Sequence, residues 1–238
     1  MIDSVTAETA LRCQATLGEG PLWDHREHVL WWVDIESHEL HRFDPRKGED
    51  IAFDVGQRVG TVVCRERGGL MLAVESGFAE FDPHNGSLGL VCDPEDKLPS
   101  NRFNDGKCDP EGRFWAGTMN LDPDQFRTGG LYSLDSSGAV TKHLSEVGIS
   151  NGIVWSADAR TMFYIDTLER TVDAFDYDRQ RGQISNRRPV FNVPESMGYP
   201  DGMAIDSDDR LWVAFWGGSC VAQIDPAQGR VLATVTVP

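Results

Sequence analysis

The sequence predicts an all-β chain folded as a β-propeller, and three observations carry the prediction. A unit of turn plus strand recurs five times, at Asp24–Asp34, Arg65–Glu75, Asp109–Thr118, Ser156–Asp166 and Asp206–Trp216. Each unit is a turn-forming cluster followed by a run of β-formers, and almost no helical periodicity intervenes. Each is then followed by a shorter strand and a turn, closing near Asp44, Asp82, Asp135, Asp176 and Asp225. A period of roughly 40–50 residues carrying about four short strands belongs to propeller blades; a sandwich has no internal repeat, and a β-helix repeats far more often.

The aspartates that close the units are turn chemistry, because Asp-Pro and related pairs favour turns wherever they occur. The longer intervals contain insertions at Asn120–Thr128 and Asn192–Pro200.

Composition narrows the partners. The 238 residues can bury one sizeable core, and 40% of them are hydrophobic. A formal net charge of −16 repels phosphate backbones and anionic lipid surfaces, which argues against nucleic-acid and membrane partners and favours a cation or a small neutral ligand. The opening residues lack a basic stretch followed by an apolar one, and no later run is long enough to span a bilayer, so the expected location is the cytoplasm. Cys13, Cys64, Cys92, Cys108 and Cys220 are odd in number and lack the close spacing of a thiolate zinc site, so they are expected to be reduced fillers. None of the six histidines has metal-type spacing, and there is neither a nucleophile elbow nor a glycine-rich phosphate loop.

Alignment of the repeats isolates one position in the loop entering each innermost strand. An oxygen-bearing side chain precedes glycine at Glu19-Gly20, Asp105-Gly106, Asn151-Gly152 and Asp201-Gly202, whereas the second repeat has Val59-Gly60. Innermost strands of a propeller flank the central channel, so equivalent positions converge at one mouth. Carboxylates gathered there without a basic partner repel one another unless a cation lies among them. Oxygen-only donors suit calcium, magnesium or manganese, and zinc also accepts carboxylate. In the third repeat, Asn104 and Asp105 are both candidates for the residue facing the channel.

These stretches resemble the SMP-30/gluconolactonase/LRE family, which includes regucalcin and bacterial sugar lactonases. The matching segments are Leu17–Trp23, Asn101–Met119, Ser150–Ser156, Tyr164–Asp178 and Tyr199–Asp206, covering most of the chain in order. The resemblance implies a six-bladed propeller of four-stranded antiparallel blades. Five repeats are present, so the expectation is a single domain over residues 1–238 lacking about one C-terminal blade, with a strand around Leu11–Thr16 completing the last.

The resemblance also implies one divalent ion held by Glu19, Asn151 and Asp201, with calcium, zinc, manganese, magnesium or iron as candidates. It implies a sugar-lactone substrate contacted by Arg102 and Asn104, which leaves Asp105 to brace its loop, and it places Asp122 where members often carry a substrate-contacting glutamate. On this reading Asp201 is also the general base for water attack on the lactone. The competing expectation is a non-catalytic calcium-binding regulatory protein, since the same oxygen cage can simply hold an ion. Trp216, in the strand after Asp201, is expected to be packed core, with a stacking wall of the pocket as the alternative.

Overall fold

A computed structural model describes residues 3–238. A short edge strand β1 (Asp3–Thr6) precedes five four-stranded units. Blade 1 is β2 (Gly18–Asp24), β3 (Val29–Asp34), β4 (Glu39–Asp44) and β5 (Glu49–Asp54). Blade 2 is β6 (Val59–Cys64), β7 (Leu70–Val74), β8 (Gly77–Asp82) and β9 (Ser87–Cys92). Blade 3 is β10 (Asn101–Cys108), β11 (Phe114–Asn120), β12 (Gly129–Leu134) and β13 (Val140–Val147). Blade 4 is β14 (Ser150–Trp155), β15 (Thr161–Asp166), β16 (Thr171–Asp178) and β17 (Gln183–Asn192). Blade 5 is β18 (Tyr199–Ile205), β19 (Leu211–Trp216), β20 (Cys220–Asp225) and β21 (Arg230–Thr236). Within each blade the strands pair in chain order, antiparallel throughout.

Two expectations are corrected here. The structure contains five blades, not a six-bladed ring short of one, because each of the five repeats forms one complete four-stranded sheet. The segment Leu11–Thr16 forms no strand; β1 lies further upstream and pairs in parallel with β21, from Asp3 beside Ala233 to Thr6 beside Thr236. It adds a fifth strand to the outer edge of blade 5.

Period-two alternation explains how the blades stack, since successive side chains of a strand face opposite sides of its sheet. In β14, Val154 packs towards blade 5 with Phe163, Met203 and Val213, while Trp155 packs towards blade 3 with Trp115. Four such cores join the five blades in sequence. Trp31, Val33, Val62 and Leu72 link blades 1 and 2, and Phe78, Phe103 and Phe114 link blades 2 and 3. The inner strands pack β2 on β6, β6 on β10, β10 on β14 and β14 on β18; no comparable packing joins β18 to β2 among the described residues. Trp216 consequently departs from expectation. Its neighbour Phe215 is buried against blade 4, so Trp216 projects from the other face of the sheet and is 65% exposed.

The closing aspartates act as turn chemistry in four of five repeats. Asp44, Asp82, Asp135 and Asp225 each accept a hydrogen bond from the backbone N–H two residues on, whereas Asp176 binds Asn186 and Arg188 of the neighbouring strand. Both insertions fold into short 3₁₀ turns, Pro123–Gln125 and Glu195–Met197. All five cysteines are free, and no helix among the described residues is long and apolar enough to cross a membrane.

Candidate functional site

Every innermost strand carries a β-bulge at the position singled out by repeat alignment. The register with the second strand shifts between Glu19 and Leu22, Val59 and Thr61, Phe103 and Gly106, Ser150 and Ile153, and Pro200 and Met203. A bulge kinks the strand and re-aims one side chain out of the period-two pattern, and this is how a strand otherwise occupied with core packing turns a polar group towards the channel. The glycine after Glu19 and the glycine after Asn151 belong to this device. Gly20 has φ +57°, in the left-handed region that favours glycine. At Gly152 the demand is for space: a Cβ there would lie 2.5 Å from the Met203 Cβ and 2.9 Å from the Asp201 carbonyl oxygen.

The loops leading into these bulges are anchored by aspartates that end the second strand of a blade. Asp34 accepts hydrogen bonds from the Thr16 and Leu17 amides at 2.7 and 2.9 Å, just ahead of Glu19. Asp166 repeats the device in blade 4, accepting from the Gly148 and Ile149 amides at 2.9 and 3.0 Å, just ahead of Asn151. Thr167 follows it; its hydroxyl accepts from the Asn151 side-chain amide at 3.0 Å and donates to the Pro200 carbonyl at 2.9 Å, tying β14 to the residue preceding Asp201.

Glu19, Asn151, Asp201, Asp105 and Arg102 are brought within electrostatic reach of one another. The Glu19 carboxyl is pushed up to about 8, first by burial and then by the negative charges of Asp201 and Asp105, with Arg102 opposing. Burial also raises Asp201, while the Asn151 side chain and the Gly202 amide pull it back. Asp105 is raised by burial, with Lys107 and the Gly106 amide opposing; that amide donates to its carboxylate at 2.7 Å, which braces the loop. Burial lowers Lys107 from the usual lysine range, and its ammonium donates to the Met203 carbonyl at 3.1 Å, bridging blades 3 and 5.

Arg102 is 5% exposed. It donates to the Phe103 carbonyl and, at 2.8 Å, to the Asn104 side-chain oxygen, and its Nε has no partner. Asn104 in turn donates to the Ser150 carbonyl at 2.9 Å, so the pair spans blades 3 and 4. Asp122 is not drawn into this group: its carboxylate caps the 3₁₀ turn after β11, accepting from the Asp124 amide and the Gln125 side chain, both at 3.0 Å.

Sequence reasoning did not single out Asp34, Asp166, Thr167 or Lys107. The recurrence of an aspartate at the end of Val29–Asp34 and Thr161–Asp166 was the available signal for the first two, and the Asp105-Gly106-Lys107 spacing for the last. Among the described residues, no three of the His, Cys, Asp and Glu side chains gather closely enough to hold an ion by themselves, so a cation here needs the Asn151 amide as a donor. Asn151 fits that need, because its Nδ2 is directed to Thr167 and Oδ1 remains as its other polar atom.

Comparison with known proteins places this geometry in a family. Residues 17–238 match the model described as the SMP-30/Gluconolactonase/LRE-like region. Regucalcin of Danio rerio is 40% identical over 239 residues, covering 100% of this chain and 80% of that protein. A Bacillus subtilis protein with the provisional name sugar lactone lactonase YvrE is 39% identical over 225 residues, covering 94% of this chain and 77% of its own. Among solved structures, a calcium-binding protein, regucalcin, from Agrobacterium tumefaciens superposes with a TM-score of 0.93 at 26% identity, covering 99% of this chain and 79% of that one. The chain belongs to the SMP-30/gluconolactonase/LRE-like family.

Proposed function

We propose that this chain is a metal-dependent sugar lactonase that opens an aldonolactone to its aldonic acid. The observation that carries the reading is the pairing of Glu19 and Asp201, two half-buried carboxylates from the first and last blades, both raised by burial and Glu19 further by the charge of Asp201, beside a neutral amide and a buried guanidinium. Family membership and the lactonase name of the Bacillus subtilis relative support it. Glu19, Asn151 and Asp201 suit a divalent ion: all three offer oxygen, and a cation would relieve the repulsion that otherwise drives protons onto the carboxylates. When bound, such an ion would act as a Lewis acid on the lactone carbonyl.

The residues themselves supply the rest. Asp201, raised by burial towards the pH at which a base works best, takes the proton of the attacking water. Glu19 and Asn151 hold the charge balance of the site. Arg102 and Asn104, fixed to each other and to Ser150, present donors to the ring's hydroxyl or carbonyl oxygens and orient it for attack.

A pH-stat assay on gluconolactone and five-carbon aldonolactones tests the reading. Acid release above the spontaneous rate is expected, lost with chelator and regained on adding a divalent ion. Release no faster than the spontaneous rate would favour the second reading, a non-catalytic calcium-binding protein, for which the description of the Agrobacterium relative as calcium-binding speaks.

Thr167→Val should also register. It removes the acceptor that orients Asn151 and the donor to Pro200 while keeping the side-chain shape. The expected results are a loss of about 1–2 kcal/mol in denaturant unfolding and ion binding weakened roughly 10- to 100-fold in a metal titration.

A further inference from the structure

Beside the carboxylate cluster, on the blade 2 and blade 3 side of the mouth, lies a cavity of about 350 Å³. None of Glu19, Asn104, Asn151 and Asp201 lines it; Arg102 does, and Arg102 is also within electrostatic reach of Glu19, so this one residue belongs to both spaces. Small-molecule pockets fall in the range of about 300–1,000 Å³, and this one is sized for part of a sugar. Its charge is one-sided. Glu75, Asp93, Glu95 and Asp96 line it against Arg102 as the lone cation among the lining residues.

The four carboxylates are not equivalent. Glu95 is engaged by Asn101, Thr118 and Tyr132 at 2.9, 3.0 and 2.7 Å, which pins the loop before β10. Glu75 shares Arg58 with Glu36. Asp93 and Asp96 are exposed, and Asp93 uses one oxygen to accept from the Glu95 amide at 2.8 Å. Lys97, next in the chain, does not line the cavity. The buried Arg102 keeps an unpartnered Nε, yet Glu36, Glu19 and Glu75 already bear on its charge, and Asn104 and the Phe103 carbonyl occupy its Nη1.

We propose that this cavity receives the hydroxyl-bearing tail of the substrate, and that Asp93 and Asp96 make the enzyme select neutral sugar lactones and reject their phosphorylated counterparts. The proposal rests on the lactonase reading of the adjoining site. Exposed carboxylates accept hydrogen bonds from hydroxyls, so a polyol tail is matched to them. A phosphate dianion in the same place meets two unpaired negative charges in a walled cavity that concentrates their field, and one shared guanidinium does not compensate.

The test is the ratio of kcat/KM for D-glucono-1,5-lactone to that for its 6-phosphate ester, in the wild type, in Asp93→Asn/Asp96→Asn and in Asp96→Lys. Asparagine keeps the shape and the oxygen that caps the Glu95 amide. The ratio is expected to be about 100 or more in the wild type and to narrow roughly tenfold in the double variant and further in Asp96→Lys. It should also narrow in the wild type as salt is raised to about 1 M, where the Debye length falls to about 3 Å. A ratio unchanged within about twofold across these proteins, or a wild type that prefers the phosphate ester, overturns the proposal.

Should neither lactone be opened faster than it opens spontaneously, the lactonase reading fails, and calorimetric binding of 1,5-anhydroglucitol and its 6-phosphate to the same proteins judges the cavity separately. A neutral preference that shrinks in the variants supports selection by Asp93 and Asp96. Absence of that preference overturns it.

Discussion

Asp201→Asn is expected to reduce lactone turnover by about 10³-fold, equivalent to roughly 4 kcal/mol of transition-state stabilisation, while leaving the fold intact. The substitution is isosteric and removes one of two like charges that burial forces together, so the metal-free protein should melt at the same temperature or slightly higher. Asparagine can still offer an oxygen to an ion but accepts no proton from water, which separates the two roles assigned to this position. Ion binding should weaken far less than turnover falls. Steady-state rates, a metal titration and a thermal melt on one preparation decide it; turnover within about tenfold of wild type with normal metal content would remove Asp201 as the base.

The second large effect concerns pH and the ion together. Glu19 is held near 8 in the folded metal-free protein against an ordinary value of 4.5. A carboxyl raised by folding favours the folded state where it is protonated, so this group's contribution is fully present below about pH 4.5 and is lost as pH rises through about 8. A divalent ion reverses the sign, because it binds only the deprotonated carboxylate and releases the proton on binding.

Added at about 100 times its dissociation constant at pH 8, an ion contributes roughly 2.7 kcal/mol, or about 5–10 °C in melting temperature for a domain of this size. At pH 5 the same concentration competes with protons for Glu19, and the shift should nearly vanish. Thermal melts with and without ion at both pH values check this. An equal shift at pH 5 and pH 8 would mean that the ion binds elsewhere.

Much of this arrangement was legible in the residues, for identifiable reasons. The repeats announced blades because each carries its own turn and its own alternating strands, both local properties. The convergence of Glu19, Asp105, Asn151 and Asp201 followed from placing equivalent residues of equivalent blades around one axis; the choice of Glu19, Asn151 and Asp201 among them came from the family resemblance. What failed was global. The repeats number five and the structure has five blades; the six-bladed ring came from the family resemblance, which carries no information on how many sheets stand around this chain's axis.

The position of the N-terminal strand failed similarly, since β1 pairs with β21 over 200 residues away through backbone groups that any side chain permits. Trp216 was misjudged because burial depends on which face of a sheet has a partner, and the far face of blade 5 has none among the described residues. Asp122 matched by position, yet its carboxylate serves a turn, a local role that a family motif does not reveal.

The bulge shared by all five inner strands separates two kinds of selection acting on this chain. The core-facing residues of β2, β6, β10, β14 and β18 answer to packing, and a change there is felt across two blades. The residue at the bulge answers to the mouth of the channel in blades 1, 4 and 5, where Glu19, Asn151 and Asp201 gather, and to packing in blade 2. Val59 holds the aligned position in β6, but it stays in the ladder opposite Val74 and is fully buried in the core shared by blades 1 and 2. A polar side chain there would enter an apolar core without a partner, so the kink that presents an oxygen-bearing side chain in three blades is closed to chemistry in the second.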